Sequence, residues 1–374
     1  MKIGYDAKRA FLNNTGLGNY SRWLIGNLAK HYPENEYFLY TPKVKDGNRL
    51  GFLNNSASIK TVTPRNSLFT SWWRTKSIVA DLQRDGINLY HGLSHELPVG
   101  IKKSGIKTVV TIHDLIFMHF PDQFGWVSRR IYAIKVKYAC RIADKIIAIS
   151  QKTKDDLVKY LDINPAKIEV IYQGIDPAFS IKQSIEKKET VKAKYKLPDS
   201  FLLSVGTIEI RKNLLLMVKA LALLKSNIPL VVIGRPTKYI DQVKEFIAAN
   251  KLGDRVIFLH HVQFDELPAI YQTASIFVYP SLYEGFGIPV LEAVSSKIPV
   301  IAATGSSLEE AGGPGSIYID PQDEKELAEK IESLLENETL KQKMITEGVE
   351  YSKKFNDDKL AEQLMYLYKT VEHA

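Results

Sequence analysis

Hydrophobic positions in this chain fall in short continuous runs of Val, Ile, Leu and Tyr, and the intervals between the runs carry apolar residues at helical spacing. Continuous short runs mark parallel strands covered on both faces, whereas strands with one wet face alternate apolar and polar. In the first half the runs predict strands at Lys2–Tyr5, Tyr37–Tyr40, Ile59–Val62, Asn88–His91, Thr108–Ile112, Lys145–Ile149 and Glu169–Ile171. In the second half they predict strands at Phe201–Val205, Leu230–Ile233, Val256–Leu259, Ile276–Tyr279, Val300–Ala302 and Ser316–Ile319. Helical segments between them imply βα units, hence an α/β fold of two doubly wound, Rossmann-like parallel sheets. The polar, Lys-rich stretch Asp176–Ser200, with one weak helix over Ser184–Tyr195, reads as the linker between them. The tail from Asp323 to Ala374 is helical by period and broken near Phe355-Asn356-Asp357.

A length of 374 residues suits two domains rather than one core, and 45% hydrophobic with 25% charged residues is ordinary globular composition. No apolar run is long enough to cross a membrane, and the N-terminus enters a strand without a signal-peptide core. The lone Cys140 excludes an intrachain disulfide and reads as a packed core residue, so a cytoplasmic protein is expected. The net charge of +8 asks for anionic partners, but no zinc-finger, RNP-like or basic-zipper pattern accompanies it, so nucleic acid is not expected. Arg129, Arg130, Lys135, Lys137 and Arg141 interleave with Phe124, Trp126, Ile131, Tyr132, Ile134 and Val136. Such a segment, residues 124–141, is either a solvated helix face or an edge that rests peripherally on the inner face of the cytoplasmic membrane. Trp72 and Trp73, in Ser67–Arg74, carry the same two readings.

In open parallel sheets ligands sit outside the carboxyl ends of the strands, so the loops there carry the chemistry. The richest is Ser281–Ala293, where Glu284 and Glu292 stand seven residues apart around Gly285-Phe286-Gly287 and Pro289. Proline suits a helix's first turn, which places Glu284 in the loop and Glu292 in the helix's opening turn, pointing back toward that loop. Free amides at a helix start attract an anion, while carboxylates take hydrogen bonds from hydroxyls; a nucleotide-sugar offers both. Capping would explain Glu292 alone, but not Glu284 in a glycine turn. After Phe201–Val205 comes Gly206 to Asn213, whose Arg211 and Lys212 open a helix through Leu214–Ala222 and suit a pyrophosphate. Gly16, Gly18 and Asn19 lie in a loop that leads into a helix over Ser21–Lys30, and His113 follows Thr108–Ile112. A lone Gly-x-Gly or a lone strand-end histidine is by itself weak evidence.

Taken together, Gly206–Asn213 and the paired glutamates resemble the signatures of retaining glycosyltransferases of the two-domain GT-B fold, glycosyltransferase family 4 (group 1). The resemblance extends to the Gly16/Gly18 loop, Tyr90–Ser94, Thr111–Leu115, Ile147–Ser150 and Thr304–Ser307. It implies an acceptor domain of residues 1–178, with about 356–374 packing back on it, and a donor domain of residues 179–355, facing a central cleft. It implies that Arg211 and Lys212 neutralise the donor diphosphate, that Glu284 holds hydroxyls of the transferred sugar, and that Glu292 holds the ribose. Backbone amides of Phe286, Gly287, Ile288 and Val290 would line sugar and phosphate. The Gly16–Gly18 loop would close over the phosphates, with Asn19, His91 and His95 toward the acceptor. His113 would approach the reacting carbon. Nucleobase choice would rest on the loops at Gly234-Arg235 and His261-Val262.

No Asp-x-Asp triplet is present, so no metal and no other cofactor are expected, and the cations and helix dipole would stabilise the leaving group. The overall pattern is similar to mannosyl-type transferases of bacterial surface polysaccharides, lipopolysaccharide among them. It implies a GDP-sugar donor first, a UDP-sugar second, and a glycan or lipid-linked saccharide acceptor. A nucleotide-sugar epimerase of similar fold, a glycan phosphorylase and a non-catalytic sugar-nucleotide-binding protein stand as alternatives. An NAD-linked oxidoreductase is disfavoured by the missing third glycine.

Overall fold

In a computed structural model, residues 1–44, 50, 51, 53, 57–65 and 70–374 are described. The chain divides into two compact units, Met1–Gly174 with Phe355–Ala374, and Ile175–Lys354. Among the described residues, the first contains strands β1 (Lys2–Asp6), β2 (Glu36–Tyr40), β3 (Ile59–Val62), β4 (Leu89–Gly92), β5 (Lys107–Ile112), β6 (Lys145–Ala148) and β7 (Ile168–Val170). They form one parallel sheet in the order β3-β2-β1-β4-β5-β6-β7, with Tyr5 opposite His91 where β1 meets β4. The second contains β8 (Leu202–Val205), β9 (Leu230–Ile233), β10 (Val256–Leu259), β11 (Ile276–Tyr279), β12 (Val300–Ala303) and β13 (Ile317–Ile319). Its order is β10-β9-β8-β11-β12-β13, again parallel. Each sheet is a doubly wound α/β layer, as the apolar runs predict.

The apolar runs form strands because both of their faces are covered. Leu230, Val231, Val232 and Ile233 of β9 and Ile276, Phe277, Val278 and Tyr279 of β11 are all buried. Burying each such side chain stabilises by about 1.5–3 kcal/mol. Sheet order then fixes where chemistry can occur. Strand order reverses between β1 and β4 in the first unit and between β8 and β11 in the second, and the loops leaving a reversal diverge and leave a crevice. The loops that end at Arg211-Lys212 and at Glu284 follow β8 and β11. His95 follows β4, and His113 follows the adjacent β5.

Several segments differ from the expectations. Asp176–Ser200 is not a linker: Phe179, Val191 and Leu197 are buried within the second unit, and its helix Ile185–Tyr195 bonds to residues far along the chain. Lys187 Nζ donates to the Asp265 carbonyl (2.9 Å), and the Gln183 amide to Gln272 Oε1 (2.9 Å). A short helix, Lys8–Leu12, follows β1, and the helix expected from Ser21 begins at Gly16, so both glycines lie in its first turn. A Cβ on Gly18 would meet the Asn13 carbonyl oxygen at 1.8 Å, which restricts that position to glycine. The tail forms helices Glu324–Glu336, Glu338–Ser352 and Asp357–His373. The last belongs to the first unit, where Trp23 Nε1 donates to Asp357 Oδ1 (2.7 Å) and Leu360, Leu364 and Tyr368 are buried. Of the stretch Ser67–Arg74, residues 66–69 lie outside the described set. Trp73 is buried with its indole N–H on Asp81 (2.6 Å), while Trp72 is exposed.

Candidate functional site

In the second unit a short 3-10 turn, Ile210–Lys212, and a left-handed Asn213 (φ 59°) precede the helix Leu214–Leu223. Arg211 and Lys212 therefore sit ahead of that helix rather than in its first turn, and both turn onto Glu284. Arg211 Nη1 lies 2.9 Å from Glu284 Oε1 and donates to the Tyr283 carbonyl (2.6 Å), and Nη2 reaches Glu209 Oε1 (2.5 Å). Lys212 Nζ bonds to Glu284 Oε1 and to the Tyr279 hydroxyl (2.6 Å). The hydroxyls of Ser281 (2.6 Å) and Tyr279 (3.2 Å) donate to the same oxygen. Burial pushes the Glu284 carboxyl up, but Lys212 and Arg211 outweigh it and hold the group at about 2. Every one of these bonds falls on Oε1; among the described residues Oε2 has no partner. Glu284 thus presents an ionised, rigidly held oxygen that can accept a hydroxyl hydrogen.

Beyond Glu284 the chain turns at Gly287, whose φ of 118° and a Cβ position 2.7 Å from Leu308 exclude a side chain. Helix Ile288–Ser295 follows, with Pro289 in its first turn. The amides of Gly287 and Ile288 donate to no acceptor among the described residues, so the helix start offers two free N–H groups. Val290 differs from expectation because its N–H is spent on the Gly287 carbonyl (2.9 Å). The Phe286 ring is buried, and its carbonyl, with that of Glu284, accepts from Ser307 Oγ (2.9 and 2.7 Å). Glu292 is the fifth residue of the helix, not in its opening turn. It accepts a bond from the Tyr271 hydroxyl (2.9 Å), and burial raises its carboxyl to about 8. The two glutamates therefore differ in charge at neutral pH. Val262, half-buried, follows β10 beside exposed His261.

In the first unit the loop after β4 grips the end of β5. His95 N–H donates to the Thr111 carbonyl (3.0 Å), His113 N–H donates to His95 Nε2 (2.8 Å), and His113 Nε2 bonds to the Leu93 carbonyl (2.9 Å). Burial, with His95 alongside, pulls His113 down to about 3, so its ring is neutral. A carbonyl can only accept; His113 therefore carries its proton on Nε2, and Nδ1 is left without a partner among the described residues. His91, by contrast, lies wholly in the core. Its Nδ1 meets the Tyr368 hydroxyl (2.6 Å) and its Nε2 the Thr111 hydroxyl (2.8 Å), so it has a packing role and offers nothing to an acceptor. Asn19 Oδ1 accepts from Arg22 Nη2 (2.6 Å) at the glycine-rich helix start.

Two family models match this chain, "Glycosyltransferase Family 4" over residues 22–179 and "Glycosyl transferases group 1" over residues 186–351. The chain belongs to the group 1, family 4 glycosyltransferases. It is 29% identical over 225 residues, 60% of each chain, to the O-antigen chain mannosyltransferase RfbU of Salmonella typhimurium. It is also 29% identical over 280 residues to the serotype-specific mannosyltransferase WbdA of Escherichia coli, 72% of this chain but 34% of that one. The match thus spans 60% of the first relative and about a third of the second. Anabaena HepE, solved with UDP and glucose, shares the fold with a TM-score of 0.76 at 18% identity, over 99% of this chain and 100% of that one.

In this member of the family, the residues that hold the expected site residues in place were not legible in the sequence. Tyr279 and Ser281 fix Glu284, Tyr271 fixes Glu292, Glu209 engages Arg211, and Tyr132 bonds to His95 Nδ1. Only Ser281 and Glu209 carried a signal, standing in the same strand-end loops as their partners. Among the described residues no group of three His, Cys, Asp or Glu could hold a metal ion, and no helix is long and apolar enough to cross a membrane.

Proposed function

We propose that this glycosyltransferase moves a hexose, mannose first, from a nucleoside diphosphate sugar to a glycan or lipid-linked saccharide acceptor, with retention at the anomeric carbon. The observation that carries the reading is Glu284 with Oε1 saturated and Oε2 open, beside the free Gly287 and Ile288 amides. A sugar hydroxyl on Oε2 and a phosphate oxygen on the amides fit that pairing of charges. Arg211 and Lys212, held on Glu284, are poised to share their charge with the diphosphate as it leaves. Glu292 takes the ribose hydroxyls, and the Val262 loop borders the base. His113 contributes its unpartnered Nδ1 as an acceptor for a sugar hydroxyl. Glu284, held by Arg211 and Lys212, is assigned to sugar hydroxyls rather than to the anomeric carbon, and in this reading the acceptor oxygen attacks on the face that the phosphate leaves. The C1–O bond to phosphate breaks, the C1–O bond to the acceptor forms, and the acceptor proton passes to the departing phosphate oxygen.

Guanosine is the first expectation for the base and uridine the second; the mannosyltransferase relatives support the one, and the UDP-bound fold relative the other. Contact with a lipid-linked acceptor at the cytoplasmic face of the membrane is supported by the helix Trp126–Ile142, which exposes Trp126, Val127, Ile131 and Ile134 among basic residues. The test is a thermal-shift panel of GDP, UDP, ADP, dTDP and their sugar conjugates, with and without EDTA. Ligand at about 100 times its Kd raises apparent stability by about 2.7 kcal/mol. A selective, EDTA-insensitive shift that disappears in Arg211→Ala is expected. No shift with any nucleotide would sink the transferase site as drawn, and isomerisation of the sugar without acceptor would make the protein an epimerase.

A further inference from the structure

The first unit contains a device around His113 that no residue of the reaction itself requires. His95 has a left-handed backbone (φ 64°) although it is not glycine, and it is buried. Such a conformation persists only where the surroundings enforce it. Here it turns the imidazole so that Nε2 accepts the His113 backbone N–H (2.8 Å) while Nδ1 meets the Tyr132 hydroxyl. Burial holds the His95 ring neutral, lowering it to about 3. A neutral ring with a bare Nε2 must carry its proton on Nδ1, so Nδ1–H donates to the Tyr132 oxygen. Tyr132 lies on the helix Trp126–Ile142, with its ring against Phe117 (4.8 Å between centroids, edge to face).

We infer that Tyr132 and His95 are positioning residues: the tyrosine oxygen holds the His95 ring through its Nδ1–H, and the bare Nε2 of that ring anchors the backbone of His113. Further holds on His113 complete the clamp, among them the Thr153 hydroxyl donating to its carbonyl (3.3 Å). Its ring N–H bonds to Leu93, two residues before His95, and the Tyr20 ring stands edge-on to it at 4.7 Å. Removing the Tyr132 oxygen leaves the buried Nδ1–H without an acceptor, so the His95 ring loses the hold that aims Nε2 at the His113 N–H. His113 then shifts, and with it the open Nδ1. The inference rests on the proposed role of His113 in transfer.

The experiment compares Tyr132→Phe, His95→Gln, His95→Leu and His113→Ala. The activity readout is GDP release from GDP-mannose, or UDP release from UDP-glucose if the shift panel selects uridine. The second readout is long-range ¹H–¹⁵N correlation of the histidine rings, which needs no substrate. Tyr132→Phe and His95→Leu are expected to lower kcat roughly tenfold to a hundredfold with KM for the donor unchanged, as a displaced group does. His95→Gln, whose amide oxygen can accept the His113 N–H, is expected to recover most of that loss. In the spectra His113 shows one Nε2–H tautomer in the parent and an averaged ring in Tyr132→Phe. An unchanged His113 signal with kcat within twofold of the parent in Tyr132→Phe and His95→Leu overturns the inference. Full kcat in His113→Ala, with the tautomer still lost in Tyr132→Phe, overturns the transfer role of His113 and leaves the clamp standing.

Discussion

At the scale of single residues, Glu284 is both a ligand group and the counter-ion of two buried cations, and the two roles separate on substitution. Glu284→Gln leaves Arg211 and Lys212 without their shared carboxylate, and breaking a buried ion pair from one side costs about 3–5 kcal/mol. The variant is therefore expected to melt earlier than the parent. Its freed cations attract an anion more strongly, so GDP or UDP is expected to shift its melting temperature more than the parent's, while sugar transfer is lost. A nucleotide shift smaller than the parent's would show that Arg211 and Lys212 do not meet the diphosphate. None of this pairing is visible in sequence, because Lys212 and Glu284 stand 72 positions apart. What could be read was the loop chemistry: a basic pair after one strand and a carboxylate in a glycine turn after another.

At the scale of elements, the helix Trp126–Ile142 is two-sided. Val136, Ala139 and Cys140 face the core, where burial raises the Cys140 thiol to about 12, while Trp126 is 63% and Ile134 62% exposed. Arg130 stacks over the Trp126 ring at 5.5 Å, which pairs a cation with an interfacial aromatic. Binding to vesicles of phosphatidylglycerol, measured by sedimentation, is expected to exceed binding to phosphatidylcholine and to weaken with salt. Trp126→Ser with Ile134→Ser is expected to abolish it without lowering the melting temperature, and equal binding to both lipids would remove the membrane role. Strands such as β9, β11 and β12 were legible because their continuous apolar runs are buried on both faces. The helix Ile185–Tyr195 misled because its surface is nearly all polar: Val191 alone among its residues is buried, and Ile185 is 80% exposed. Its attachment comes from Lys187 on the Asp265 carbonyl and from Lys194 and Tyr195 on Glu266, more than seventy positions away, which no local pattern encodes.

At the scale of the whole molecule, the two units carry opposite proton linkages. In the first unit burial lowers His91, His95 and His113 to about 3, against an unfolded value of about 6.5. The unfolded state binds more protons between those limits, so the stability these residues contribute is complete above pH 6.5 and is lost as pH falls toward 3. In the second unit Glu292 is raised to about 8, so its contribution is complete below about pH 4.5 and is lost as pH rises toward 8, by about 1.4 kcal/mol per pH unit. Lowering the pH from 7 to 5 is expected to weaken hydrogen-exchange protection in β4 and β5 and to strengthen it around the helix Ile288–Ser295. Glu292→Gln is expected to remove the second trend alone. Protection that falls equally in both units would show that these buried groups do not govern the response.

The chain's return to its first unit also sets a timetable for synthesis. Tyr368, which closes on His91, lies 277 positions after it, and Asp357 holds Trp23 across 334. At about 5–20 residues per second, roughly 10–40 s pass on the ribosome between the end of β7 and the arrival of that last helix. Throughout that interval the second unit, contiguous from Ile175 to Lys354, can emerge and close on itself, while the sheet made first waits with an apolar flank uncovered. The half of the protein that begins folding earliest is the half that finishes last.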